Sequence, residues 1–348
     1  MRRFDYAALK NMRWDTEMLG YIAAIHEMRG KQSFYLKQKP DALDKLVEIA
    51  KIQSTDSSNE IEGIRTTNTR LKQLVTEKTA PKNRDEQEIA GYRDALSVIH
   101  ESFEYIPITP NYLLQLHKIL FSHSAKDIGG KFKNVQNYIS AKDLNGRQFT
   151  LFTPPAPYET ADMVAELCEE LGRAMAEGEV DALILIPIFI HDFLCIHPFL
   201  DGNGRMSRLL TTLLLYRSGY MVGKYISLEA KIASSKNLYY DTLEQSQSGW
   251  HTGEDDPTPF IKYLLGTLIS AYRDLEERIE LVGEGDSAFE IVRKAVSTRI
   301  GKFTKTDIAA LCPSISASSV EGSLKRLARS GDIEKHGSGR STFYTRRI

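Results

Sequence analysis

The sequence predicts a mainly α fold, a helical bundle interrupted by one β-hairpin and followed by a small C-terminal α+β unit of the winged-helix type. Three observations carry this expectation. Apolar residues recur at helical spacing through most of the 348 residues, as with Val164, Leu167, Cys168, Leu171 and Met175, while period-two alternation is rare. Gly130 to Pro157 breaks that pattern with β-prone runs around an Asn-Gly pair and closing prolines, which reads as an exposed hairpin, either a long surface connection or a flap over a site. The break LVGEGDSA, Leu281 to Ala288, precedes a change of charge: residues 288–348 carry twelve Lys and Arg against five Asp and Glu, net +7 in a chain of net -1.

Taken in order, the apolar spacing places helices over 14–29 and 41–52. A short helix over 57–64 is expected because Ser57 followed by Glu60 forms a capping box. Helices over 83–102, 110–121 and 158–176 follow, then a very apolar one over 181–195, then 204–218 opening after a glycine turn, 229–249 and 256–282. These divide the chain into an N-terminal helical region (1–109), a core (110–250) with its flap segment (130–157), a connecting helix (251–284) and the C-terminal unit (285–348). In that last unit three helices precede two short strands around Gly337 and Gly339. Its third helix would be a recognition helix, with Ser316, Ser318 and Ser319 at its start, Lys325, Arg326 and Arg329 along it, and Arg340 on the wing. DNA and protein, including a second copy of the chain, both remain open as its partner.

The composition, 42% hydrophobic and 26% charged, is that of a soluble globular protein. Its three cysteines, Cys168, Cys195 and Cys312, have neither CxxC pairing nor zinc-ligand spacing, and the N-terminus has no apolar signal core, so a cytoplasmic location is expected. Pro187, His191, Asp192 and His197 interrupt the most apolar run, Ala182 to Leu200, which therefore reads as a buried helix and not a membrane span.

Behind that helix stands HPFLDGNGRMSR, His197 to Arg208. Gly202 and Gly204 allow an anion close to the main chain at the start of the next helix, where free N–H groups and the helix dipole attract negative charge. Arg205 and Arg208 lie on one face of its first turn, where cations are mildly unfavourable, by about 0.3 to 1 kcal/mol. A bound polyphosphate on which both converge, or a buried glutamate, explains them. Asp201 beside such an anion calls for Mg2+ between them, and His197 remains as the candidate general base.

These twelve residues resemble the signature of the Fic family, whose members transfer AMP from ATP to protein hydroxyls. The resemblance extends through HDFLCIHPF to GGKF, Gly129, Gly130, Lys131 and Phe132, which is similar to the family's target-docking flap, and covers about Asn111 to Gln247. It implies a Fic-type bundle in which His197 deprotonates a Tyr, Ser or Thr hydroxyl attacking the α-phosphorus of ATP. It further implies that Asp201 holds Mg2+, that Gly202, Asn203 and Gly204 cradle the phosphates, and that Arg205 and Arg208 neutralise the departing diphosphate. KNLYYDTLEQSQ resembles the adenine-side helix, making Tyr239, Tyr240 and Gln247 base contacts, although paired tyrosines on an amphipathic helix also serve as core.

Earlier in the chain, Ser58-x-x-x-Glu62-Gly63 matches the family's inhibitory motif and implies that Glu62 pairs with Arg208 and closes the γ-phosphate site. In some relatives this glutamate also aligns a water that removes AMP. The resemblance implies ATP, Mg2+ and a target protein, with self-modification and homodimerisation open. The rival reading is a DNA-binding regulator whose Fic core acts as a nucleotide sensor.

Overall fold

A computed structural model of the chain describes residues 2–38, 40–142, 147–281, 286–313 and 315–347. The architecture is a mainly helical bundle with one small antiparallel hairpin, followed by an α+β unit. The bundle comprises α1 (Thr16–Gln38), α2 (Pro40–Ile61), α3 (Asn68–Val75), α4 (Arg84–Ser102), α5 (Pro110–Leu120), the hairpin β1 (Ile139–Lys142) and β2 (Gln148–Phe152), α6 (Pro157–Glu177), α7 (Ala182–Ile196), α8 (Asn203–Arg217), α9 (Leu228–Ser234), α10 (Lys236–Gln247) and α11 (Thr258–Leu281).

The most apolar segment lies at the centre. Asp181 caps α7 by accepting the Leu183 N–H at 2.8 Å. Apart from Leu194, residues Leu183–Ile196 are buried, and α7 packs against α6, α8, α10 and α11. Among the described residues no helix is long and apolar enough to cross a membrane. The α+β unit has its own apolar core, built from α12 (Ala288–Ser297), α13 (Lys305–Leu311), α14 (Ala317–Ser330) and the antiparallel pair β3 (Ile333–His336) and β4 (Phe343–Arg346); Val292, Phe303, Ile308, Leu324 and Leu327 lie inside it.

Several expectations are corrected. No helix starts at Ser57: α2 runs unbroken from Pro40 to Ile61, so the capping-box pattern falls mid-helix and Glu62 sits just past the helix end. There the polar residues Ser54, Thr55, Ser58 and Asn59 are buried: Ser54 Oγ donates to Glu229 Oε2 at 2.6 Å and Asn59 Nδ2 to the Thr55 carbonyl at 2.7 Å, while Thr55 Oγ1 and Asn59 Oδ1 meet no partner among the described residues. The expected helix over 229–249 is two, α9 and α10, broken at Ser235, whose hydroxyl bonds Tyr263 at 2.8 Å. The helix α3 was not expected. Among the described residues of 130–157 only 139–142 and 148–152 form strands, and the Asn145-Gly146 turn lies outside the described residues, as do residues 282–285 of the break before α12 and the Arg340 side chain.

Candidate active site

The segment from α7 to α8 is fixed at almost every polar group. His197 ends α7 in the left-handed region, φ 49 and ψ 59, which costs a non-glycine residue of order 1–3 kcal/mol. Asn137 clamps it there: its Nδ2 donates to the carbonyls of His197 (2.9 Å) and Phe199 (3.0 Å). The Asn203 side chain closes the loop from the other side, accepting from Phe199 N–H at 2.9 Å and donating to the Phe199 carbonyl at 2.8 Å. Gly202, at φ 84, caps α8, and a Cβ there would meet the Phe121 ring at 2.9 Å.

His197 Nδ1 lies 3.2 Å from the Leu194 carbonyl, which assigns the proton to Nδ1 and leaves the Nε2 lone pair free. Burial pulls its pKa down to about 4, so the ring is neutral at neutral pH. Burial acts in the same direction on Lys133, down to about 8. Its ammonium donates to the Ile196 carbonyl (3.0 Å) and Asn137 Oδ1 (2.9 Å), tying the base of the flap to the same loop.

The two arginines do not converge on one acceptor. Arg205 pairs with Glu88 of α4 at 2.9 Å, reaches Asp201 at 3.4 Å and lies over the Phe121 ring at 5.3 Å. Arg208, buried, turns toward α2: Nε donates to Ser58 Oγ at 2.8 Å, and Nη2 to the Ser58 carbonyl at 2.9 Å and Glu62 Oε1 at 2.8 Å. Each cation in the first turn of α8 thus meets a glutamate, Arg205 the buried Glu88 and Arg208 the partly exposed Glu62. Glu62 Oε1 also sits directly over Gly204, in the space a Cβ would need.

Asp201 accepts from Lys126 Nζ at 2.7 Å. Burial raises its pKa, but Lys126 and Arg205 outweigh this and hold it below the usual carboxylate value. One partly exposed carboxylate at a cavity wall suits Mg2+, which takes one or two carboxylates together with phosphate oxygens. A second cluster of possible ligands, His191, Asp192 and Asp255, has Arg2 on both carboxylates, at 3.2 Å from Asp192 and against Asp255. Tyr6 and Trp250 donate to Asp192 as well, each at 2.7 Å, so the carboxylates of that cluster already have protein partners.

A cavity of about 1020 Å³ gathers the sequence candidates. His197, Asp201 to Arg205, Arg208, Glu62, Tyr239, Tyr240 and Gln247 all line it, with Ile139, Ser140 and Leu151 of the hairpin. Tyr239 is also core, packed on Phe260 and Tyr263, whereas Tyr240 is 44% exposed. Gly129 to Phe132 lie outside the hairpin and do not line the cavity. They pack on α5 and the loop: Gly130 is at φ 74, its N–H bonds His117 Nδ1 at 3.0 Å, and Phe132 stacks near Phe199 at 5.8 Å.

Sequence reasoning missed His117, Glu88, Lys126, Lys133 and Asn137. His117 is fully buried, stacks on Phe199 at 3.8 Å and bridges the Asp201 carbonyl (3.0 Å) to Gly130. The available signal was a lone histidine on the apolar face of LLQLHKIL.

Residues 107–215 match the family model described as Fic/DOC family. The protein adenylyltransferase Fic of Drosophila yakuba is 26% identical over 280 residues, covering 76% of this chain and 49% of that protein. The chain thus spans about half the length of this curated relative. In fold it is similar to a Fic family protein from Desulfovibrio desulfuricans, TM-score 0.63 at 21% identity over 97% of both chains. A Fic domain containing signaling protein from Bacteroides thetaiotaomicron is similar in fold too, TM-score 0.63 at 22% identity over 76% of this chain and 99% of that one.

Proposed function

We propose that this chain is a Fic-family adenylyltransferase, a reading supported by the match of residues 107–215 and the similarity to known Fic adenylyltransferases, and that it transfers AMP from ATP to a Tyr, Ser or Thr hydroxyl of a target protein, itself included. The observation that carries this reading is the shared cavity, in which a neutral His197 faces a helix start flanked by Arg205, Arg208 and Asp201.

The target oxygen attacks the α-phosphorus and its proton passes to His197 Nε2. The bond from the α-phosphorus to the bridging oxygen breaks, and pyrophosphate departs. Nδ1, held on Leu194, keeps the ring oriented while it carries the extra proton. The N–H groups of Gly202, Asn203 and Gly204 and the two guanidiniums receive the negative charge. Mg2+, when bound, supplies further positive charge on the phosphates, and Asp201 is the residue that would hold it. Tyr239, Tyr240 and Gln247 serve as the adenine-side wall, and the hairpin residues Ile139, Ser140 and Leu151 serve as the docking edge for the target.

In this reading the protein rests in an inhibited state. Glu62 occupies both Arg208 and the space over Gly204, where the γ-phosphate needs to be. Two unit charges about 4 Å apart at an effective dielectric near 20 repel by about 4 kcal/mol. Glu62 is one-third exposed (34%), and solvent screens part of this. A penalty of about tenfold to hundredfold in ATP affinity results. In the same reading, a second use of this carboxylate is to accept a proton from water in the hydrolytic removal of AMP. Cytoplasmic residence belongs to this reading and is supported by the three free cysteines.

A second reading rests on the charge of residues 288–348. There α14 exposes Lys325, Arg326 and Arg329, as a winged-helix reader of DNA would, with the bundle as its nucleotide sensor. Labelled ATP separates the two. With Glu62→Gly, the first reading requires label on protein from the α-phosphate and none from the γ-phosphate. No incorporation from either, with cell lysate supplied as target, favours the sensor.

A further inference from the structure

Glu62 is one of two residues of α2 and its end that hold Arg208. Two of the three hydrogen bonds involved go to Ser58, through Oγ on Nε and the carbonyl on Nη2. Ser58 carries no charge, so it does not compete with phosphate as Glu62 does.

The way α2 ends makes these acceptors available. Around Gly63, at φ 80, the Gly63 N–H bonds the Glu60 carbonyl (2.9 Å) and the Ile64 N–H bonds the Asn59 carbonyl (3.0 Å). The Glu62 N–H also turns to Asn59, at 3.0 Å, and the Ser58 carbonyl accepts from Arg208. Ser58 and Asn59 are fully buried. One turn earlier Ser54 is bound to Glu229, whose other oxygen accepts from Tyr92 at 2.9 Å. This part of α2 is therefore built into the bundle, whereas Glu62 lies beyond the helix, one-third exposed, at the negative end of the helix dipole.

Resting on the reading that Arg208 serves the ATP phosphates, we infer that Ser58 is a positioning residue that holds Arg208 for nucleotide after Glu62 has left. Within one short motif the two side chains act with opposite sign: loss of Glu62 opens the site, and loss of the Ser58 hydroxyl weakens it. With Nε and Nη2 held on Ser58, the guanidinium keeps its orientation and Nη1 stays beside Gly204, 3.3 Å from where a Cβ there would lie.

The test uses the full chain carrying Glu62→Gly, combined with either Ser58→Thr, which keeps the hydroxyl, or Ser58→Val, which has the same shape without it. Both are checked for native circular dichroism, then titrated calorimetrically with ATP and with AMP in Mg2+. A hydrogen bond to a charged group is worth about tenfold or more in binding. The expected result is ATP affinity near that of Glu62→Gly alone for the Thr variant and about tenfold weaker for the Val variant. AMP, which lacks the phosphates Arg208 would meet, binds both equally. Equal ATP affinity in the two, or an equal loss for ATP and AMP, overturns the role of Ser58. Failure of the underlying reading shows separately, as Glu62→Gly binding ATP no better than wild type, and the Thr to Val difference is read even then. If no variant binds ATP, both fall.

Discussion

The loop from His197 to Arg205 and the turn at the end of α2 face each other across one cavity, and they are built in opposite ways. In the loop, backbone carbonyls and amides are tied from three sides, by Asn137, Asn203 and His117, and a residue in an unfavourable conformation is held in place. At the end of α2 a partly exposed carboxylate rests on an ion pair and one turn of backbone. Proton transfer needs atoms fixed within tenths of an ångström, whereas a brake needs a contact weak enough to break. On the proposed function, the difference teaches that rigidity and regulation would fall to separate sides of the site.

Substitutions sharpen this contrast, beginning with the largest effect. His197→Ala is expected to lower AMP incorporation by about a hundredfold to ten-thousandfold, with ATP affinity by calorimetry nearly unchanged. An equal loss of affinity would mean that the histidine holds nucleotide and does not move the proton. Glu62→Gly is expected to raise ATP affinity about tenfold to a hundredfold, following removal of the like charge. Asn137→Ala frees the strained His197 backbone, and kcat is expected to fall about tenfold at constant KM for ATP. If KM moves instead, the clamp acts on the phosphate side.

The smallest effect is on pH dependence. His197 and His117 are pulled to about 4 and His100 to about 3, each by burial, from an unfolded value near 6.5. The unfolded chain then binds more protons than the folded one between these values. Stability from these groups is complete above about pH 6.5 and lost as pH falls toward 4. Thermal unfolding should accordingly be flat from pH 8 to 7 and drop below 6, and the incorporation rate should hold to about pH 5. A rate that instead titrates near 6.5 would place His197 in water.

Much of the bundle was legible because α4 to α8 are apolar or amphipathic stretches that open on local start signals such as Asn83, Pro110, Pro157, Asp181 and Gly202, and the sequence placed them within two residues. The twelve-residue motif His197 to Arg208 was legible because its residues are contiguous in the chain. The continuity of α2 was hidden: STDSSNE reads as a break by local preference, and the partners that keep it helical, Glu229 and Arg208, lie 150 to 175 residues away. His117, Glu88 and Asn137 were hidden for the same reason, since each acts on a loop far along the chain. Spacing alone also hid the carboxylates that Arg205 and Arg208 meet, Glu88 and Glu62, because it places residues on one face of a helix and cannot tell which partner meets each one.

The most direct test of the central claim is the initial rate of AMP incorporation from α-labelled ATP in Mg2+, compared among wild type, Glu62→Gly and Glu62→Gly combined with His197→Ala. The account predicts a slow wild type, a rate at least about tenfold higher with Glu62→Gly, and loss of that gain when His197 is removed. Equal rates in wild type and Glu62→Gly, or a gain that survives without His197, would contradict it.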